Sequence, residues 1–81
     1  MAGFDRRTVT IAPGRERLYD DREWRDALVL LRAGRIELEG TSGARCRLAR
    51  GAIFWLDGVP LRALLNRGDE PAVLAVVTRR E

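Results

Sequence analysis

Acidic side chains and one arginine are the groups through which this chain can do chemistry. Asp21, Glu23 and Asp26 stand just before an apolar run, and Tyr19 lies close ahead of them. These groups are the candidates for proton transfer, because the chain has no histidine, the commonest general base near neutral pH. Arg62 stands among leucines, and its planar guanidinium suits a carboxylate or a phosphate. The residue types therefore permit acid–base chemistry on a small anion, with Arg62 as its anchor.

Missing residue types exclude several common kinds of site. Without histidine, neither a Ser-His-Asp nor a Cys-His arrangement can form. Cys46 is the only cysteine, so an internal disulfide is excluded and a structural zinc site lacks ligands. We interpret Cys46 as a small buried apolar residue. We predict no metal, no cofactor and no nucleophilic catalytic residue.

Length and composition predict one small domain over residues 1–81. A chain of this size buries only about 60% of the surface that its unfolded form exposes, so self-association would add needed stability. The apolar runs are too short to cross a bilayer, and residues 1–10 contain no apolar signal core. A lone cysteine fits a reducing compartment. We therefore expect a cytoplasmic homodimer that does not contact a membrane.

The charge pattern does not favour nucleic acid as a partner. Fifteen arginines face twelve acidic residues, for a net charge of +3. The acidic residues are interspersed along the chain, whereas nucleic-acid-binding surfaces usually gather basic residues on one face. Arg45, Arg47 and Arg50 come nearest to such a cluster, and we interpret them as a solvated strand face.

Short apolar stretches separated by turn residues predict an all-β sandwich or barrel. The predicted strands are Thr8–Ile11, Leu28–Leu31, Arg35–Glu39, Arg45–Leu48, Ile53–Leu56, Leu61–Leu65 and Ala72–Thr78. In the third strand, alternation places Ile36 and Leu38 inward and leaves Glu37 and Glu39 in solvent. In the fourth strand, the same alternation places Cys46 inward.

A helix competes with a strand in residues 20–31. The segment DDREWRDALVLL has helix-forming composition, with acidic residues where a helix N-terminus favours them. The continuous apolar run Leu28–Leu31 instead fits a strand covered on both faces. We favour the strand and keep the helix as the alternative.

The spacing of glycines and one asparagine resembles the two sequence motifs of the cupins. In the second motif a Gly is followed by five residues, Pro, one residue, Gly, two residues, His, three residues and Asn. Gly51 and Asn66 match its ends, and Arg62 holds the His position. Asp57 holds the Pro position and Val59 the second Gly position.

The first cupin motif is matched mainly by its closing glycine, Gly34. Counting back from Gly34 puts Ala27 at the position of the metal-binding Glu and puts Asp21 and Glu23 at the two His positions. The tail NRGDEPAVLAVV is also similar to the common ending of the family. The resemblance covers residues 24–77, with residues 1–19 as an N-terminal strand or arm.

The resemblance implies a small single-domain bacterial cupin, a double-stranded β-helix or jelly-roll barrel, that lacks the metal-binding histidines. Cupins hold their metal with three imidazoles and a carboxylate inside the barrel. Here Ala27 offers no ligand, and the permanent cation of Arg62 would repel a divalent ion. Cupins also commonly pair through their sheets, which implies a homodimer in which residues 9–11 can add to a neighbour's sheet edge.

The same resemblance places the candidate ligand-binding residues at the barrel mouth or in its interior. They are Arg62, Trp24, Trp55, Asp21, Glu23 and Tyr19. Two alternatives remain open at this point. Arg62 faces solvent if its strand is rotated by one residue so that Leu61 lies inside, and Trp55 packs in the core instead of lining the mouth.

Two functions follow from this reading. The first is a metal-free module that binds a small organic or anionic ligand, or that binds another protein if its interior is packed shut. The alternative is a metal-independent enzyme of the isomerase, epimerase or cyclase type acting on a small anionic substrate. The enzyme requires an open cavity with a perturbed carboxylate, and a filled interior would argue against it.

Overall fold

The computed structural model describes residues 3–80, and within them the chain forms two antiparallel sheets. The elements follow in the order β1 (Gly3–Ile11), β2 (Glu16–Leu18), α1 (Asp21–Trp24), β3 (Ala27–Ala33), β4 (Arg35–Gly40), β5 (Arg45–Ala49), β6 (Ile53–Trp55), β7 (Leu61–Leu65) and β8 (Ala72–Arg80). Sheet A has the strand order β1-β8-β3-β6, and sheet B has the order β2-β7-β4-β5. The predicted all-β architecture is therefore confirmed.

The helix alternative for residues 20–31 is wrong beyond its first turn. Asp20 caps a single turn of helix, α1, by accepting a hydrogen bond from the backbone N–H of Arg22 at 3.0 Å. The turn ends at Trp24, because Arg25 already has an extended backbone (ψ 132°) and Asp26 follows with a positive φ of 56°. The strand β3 then begins at Ala27. It is not covered on both faces, because Leu30 on its outer face is 37% exposed.

The apolar core lies between the two sheets. Sheet A contributes alternate residues of β1, β3 and β8, and sheet B contributes residues of β4 and β7. Trp24 and Leu56, which lie outside the strands, also belong to this core and are buried. The main core side chains are Val9, Ile11, Trp24, Val29, Leu31, Ile36, Leu38, Leu56, Leu61, Leu64, Leu74 and Val76.

Gly34 joins β3 to β4 at a point where only glycine fits. Its φ is +77°, and a Cβ at this position would lie 2.5 Å from the carbonyl oxygen of Pro71. A side chain would therefore clash with the backbone that enters β8 and would also strain its own backbone. The closing glycine of the first motif thus has a steric function that does not depend on a metal.

Asn66, the last residue of the second motif, ties two turns together. Its side-chain amide donates hydrogen bonds to the carbonyl oxygens of Ile11 and Glu70, both at 2.8 Å. Its side-chain oxygen accepts from the N–H of Gly68 at 2.9 Å. Asn66 is 1% exposed, and of its three hydrogen bonds the one to Ile11 is buried and the other two are partly buried. Like Gly34, Asn66 therefore has a structural function in the backbone of the fold.

No helix among residues 3–80 is long and apolar enough to cross a membrane.

Candidate functional site

The interior between the sheets is apolar and does not gather the predicted site residues. Trp24, expected at the barrel mouth, is fully buried in the core, where the guanidinium of Arg7 lies 5.2 Å from its ring centroid. Within residues 3–79, the buried polar or charged side chains are Glu37 and Asn66. Neither lies in the apolar core, so the structure does not present an acid–base pair there.

Arg62 lies on the outer face of sheet B, so its predicted position in the interior is wrong. The register of β4 with β7 shifts between Glu39 and Gly40, which leaves an extra residue in β7 opposite that step. Leu61 and Leu64 therefore both belong to the core, and Arg62 between them points outward. The open alternative with Leu61 inside is the one that the structure adopts.

Two carboxylates neutralise Arg62. Its guanidinium lies 3.1 Å from Glu16 Oε2 and also donates a hydrogen bond to Glu39. The hydrogen bonds to Glu16 and to Glu39 raise the pKa of Arg62, so it stays charged at every accessible pH. The hydrogen bond from Arg62 is also the main reason that the pKa of Glu39 is lowered. An arginine paired in this way is poorly placed to anchor a ligand.

The three aromatic residues predicted to line one mouth lie in different environments. Trp24 is in the core, whereas Trp55 is 61% exposed on the outer face of sheet A. Tyr19 is half-buried against the core, and its hydroxyl donates a hydrogen bond to Asp21 at 3.2 Å. Burial, and then the negative charge of Asp21, raise the pKa of Tyr19. Both interpretations of Trp55, as core and as mouth, are wrong, because Phe54 is the residue of β6 that turns inward.

Asp21 and Glu23 are each held by arginines. Asp21 is exposed and lies 3.2 Å from the guanidinium of Arg25, one helical turn later. Glu23 accepts two hydrogen bonds from the guanidinium of Arg17, and Arg7 approaches the same carboxylate at 3.6 Å. These bonds are the main cause of the raised pKa of Arg17. Both carboxylates therefore form ion pairs at the surface.

The positions that match the cupin metal ligands do not fit a metal ion. Ala27 is fully buried in the core, Arg62 points away from it, and Glu23 is bound by arginines. In the described part of the chain, no three His, Cys, Asp or Glu side chains form a group that could hold a metal. The residue types at these positions do not suit a metal ion, and the structure does not bring them together. Both observations argue against a metal centre of the cupin type at these positions.

The outer face of sheet B carries a charge network that corrects two sequence expectations. Glu37, expected in solvent, is only 5% exposed, because three arginines cover it. Their distances to its carboxylate are 3.4 Å for Arg45, 3.7 Å for Arg47 and 3.4 Å for Arg67. Glu39 is half-buried beside the same network, next to Arg45. Alternation gave the right face for both acids, but Arg67 covers Glu37 from a distant turn.

Cys46 is exposed, contrary to its interpretation as a buried residue. It is paired in register with the inward Leu38, so it does lie on the inner side of sheet B. However, β5 is the edge strand of that sheet. The inner side of an edge strand is covered only where the opposite sheet extends over it, which explains the exposure.

The outer face of sheet A is apolar, although it faces water. Register brings Trp55 beside Leu28 and brings Ile53 beside Leu30, and β8 continues both rows. Ile53 is 65% exposed and Trp55 61% exposed. We call this surface the sheet A patch, which comprises Leu28, Leu30, Ile53, Trp55, Ala75 and Val77. Alternation alone would have placed polar residues here, so the patch is the clearest candidate functional surface.

The fold is similar to that of two solved cupin structures. A cupin 2 conserved barrel domain protein from Salinispora arenicola CNS-205 matches with a TM-score of 0.71 at 22% sequence identity. That match covers 96% of this chain and 63% of the Salinispora protein, so the chain spans less than two thirds of its length. A cupin domain from Bordetella pertussis Tohama I matches with a TM-score of 0.68 at 18% identity, over 96% of this chain and 82% of that one.

These likenesses show that the chain has the cupin fold, which confirms the fold that the motif resemblance implied. No protein-family model and no curated protein matches the sequence. A shared fold at such low identity does not show a shared activity, so the function must be inferred from the surfaces of this chain.

Proposed function

We propose that this protein is an interaction module that pairs with a second copy of itself through the sheet A patch. The observation that carries the proposal is the exposure of Ile53, Trp55 and Leu30 side by side on one sheet face. Contiguous apolar surface of this kind is uncommon on soluble monomers and marks sites of association. Covering it removes apolar area from water, which is the main driving force of protein association.

The dimensions of the face suit a weak, reversible dimer. Sheet A has four strands, and its two longest strands have nine residues each. At about 4.8 Å between strands and about 3.3 Å per residue, its strands of nine, nine, seven and three residues cover roughly 440 Å². Covering this face on both copies removes about 900 Å² from water, which is in the range of weak, transient encounters. We therefore expect a dissociation constant in the micromolar range.

A second copy is the partner that fits the composition of the face. A twofold axis brings identical patches together, so an apolar centre meets an apolar centre. Arg6, Arg32 and Arg79 are exposed at the perimeter of sheet A, outside the sheet A patch. At the rim their guanidinium groups stay in water while their apolar stems extend the contact. Added salt should preserve or strengthen the dimer, because it screens these like charges.

The enzymatic alternative finds little support in the arrangement of its residues. It requires an inward Arg62 beside a carboxylate in an open interior. Instead Arg62 is bound by Glu16 and Glu39 on the outer face, and Asp21 and Glu23 are bound by other arginines. We therefore propose that the protein binds a partner without catalysing a reaction, and that the apolar face is its binding surface.

Sedimentation velocity over a range of concentrations tests this function. We expect the average mass to rise from that of one chain toward that of two between about 1 and 200 µM, as a micromolar dissociation constant requires. The rise should persist in 0.5 M salt, about where the screening length falls below 5 Å. A mass that stays at one chain over the whole range would refute self-association.

A further inference from the structure

A groove at one end of sheet B forms a second candidate site, separate from the sheet A patch. Two adjoining cavities of about 320 and 360 Å³ lie where β4 starts, β5 ends and the turn at residues 67–70 passes over them. Both are lined by Arg35, Ala49 and Gly68. No residue of the sheet A patch lines either cavity, so a dimer formed through that patch leaves the groove open.

The first cavity carries a net positive charge. Arg35, Arg47 and Arg67 line it, and Glu37 is the only acid among its lining residues, which gives a formal charge of +2. Arg35 has no ion pair with any described side chain, so its guanidinium is available to a ligand. The second cavity is different, because Asp69 and Glu70 balance its two arginines.

Glu37 positions two of these arginines without neutralising the cavity. Its carboxylate lies 3.4 Å from Arg67 and 3.7 Å from Arg47, and it is 5% exposed. The side chain of Arg47 is 90% exposed, so its remaining N–H donors are free to turn toward a ligand. One carboxylate shared among three arginines leaves most of their hydrogen-bond donors unused.

We infer that this cavity binds a small phosphate monoester, with Arg35, Arg47 and Arg67 as the anion ligands. A phosphate monoester carries a charge of about −1.5 to −2 at pH 7, which matches the +2 of the lining, and arginine forks suit its oxygens. The cavity is at the small end of the range for ligand sites. Leu48 and Ala49, which are not fully buried, complete the wall and would contact the organic part of the ligand.

An NMR titration with inorganic phosphate at pH 8 and constant ionic strength tests the inference. We expect saturable shifts at the amides of Arg35, Arg47 and Gly68, with a millimolar dissociation constant, since phosphate alone lacks the organic part. Succinate, a dianion without phosphate geometry, should bind more weakly at the same site. Tighter binding of succinate would overturn the assignment to phosphate.

A pair of matched variants makes the test specific to the cavity. Arg35→Gln should weaken phosphate binding about tenfold, as expected for the loss of charge-assisted hydrogen bonds. Because Arg35 has no ion pair in the described structure, the variant should fold normally, which its melting temperature without phosphate will show. Arg22→Gln changes an exposed arginine that lies outside the groove and outside the sheet A patch, and it should leave affinity unchanged. Equal losses in both variants, or shifts spread over all arginines without saturation, would overturn the site.

Discussion

Replacing Ile53 with glutamate should weaken the dimer by more than a hundredfold. In the proposed dimer the side chain leaves water within the sheet A patch, next to Leu30. The twofold axis doubles the change, so two carboxylates would be buried without partners. A loss of at least about 3 kcal/mol of association energy is the expected result, measured as the shift in dissociation constant by sedimentation velocity.

Leu18→Glu is the matched control for this experiment. Leu18 and Ile53 are each 65% exposed, and both stand on three-residue edge strands. The two substitutions should therefore have similar, small effects on the stability of the monomer. Only Ile53 lies in the sheet A patch, so Leu18→Glu should leave the dissociation constant as it is. If the two variants dissociate equally, the interface is not on sheet A.

Asn66→Ala should cause the largest loss of folding stability of any single side-chain truncation outside the apolar core. It leaves the carbonyl oxygens of Ile11 and Glu70 and the N–H of Gly68 without their partner, at one buried and two partly buried hydrogen bonds. At about 1 to 3 kcal/mol for each unsatisfied group, a loss of roughly 3 to 5 kcal/mol is expected. Urea denaturation should show a lower midpoint at an unchanged slope.

Asn66→Asp separates the lost hydrogen bonds from the lost side chain. The introduced carboxylate keeps the acceptor for Gly68 but faces the carbonyl oxygens of Ile11 and Glu70. Burial beside these oxygens raises the pKa of the carboxyl in the folded state above its unfolded value. Stability relative to the native protein should therefore be restored in part at low pH and lost as the pH rises through that raised pKa. A loss under about 1 kcal/mol in Asn66→Ala would contradict this role.

The motif positions that the sequence predicted correctly are those at which the backbone itself requires one residue type. Gly34 was recognisable because its positive φ and its contact with Pro71 permit no side chain. Asn66 was recognisable because its amide satisfies three backbone groups at once. These residues keep the cupin motif spacing, although other residue types stand at the positions of the metal ligands. Motif spacing could therefore predict the fold, whereas the structure does not bring together the site residues that the resemblance implied.

The errors have causes that lie between distant segments. Alternation shows that Phe54 and Trp55 face opposite sides, but it does not show which side is the core. Arg62 points outward because of a β-bulge opposite Glu39, and no residue type in this segment predicts that bulge. The exposure of Cys46 depends on β5 being an edge strand, which is a property of strand order.

The sheet A patch itself was missed for a physical reason. Sequence reasoning assumes that apolar residues of a strand face the core, and in β6 the outward residues are Ile53 and Trp55. An exposed apolar row is an exception to that assumption, and such exceptions are typical of association surfaces. The disagreement between pattern and structure therefore lies at the face that we propose for self-association.

Quenching of tryptophan fluorescence by acrylamide, recorded alongside the mass, shows whether a second copy covers the sheet A patch. The chain has two tryptophans, and Trp24 is fully buried, so the quenchable emission comes from Trp55. If a second copy covers the sheet A patch, quenching should fall as concentration rises, in step with the increase in mass. Pairing through the free edge of β1 would instead double the mass and leave Trp55 equally quenchable, and that result would contradict the account.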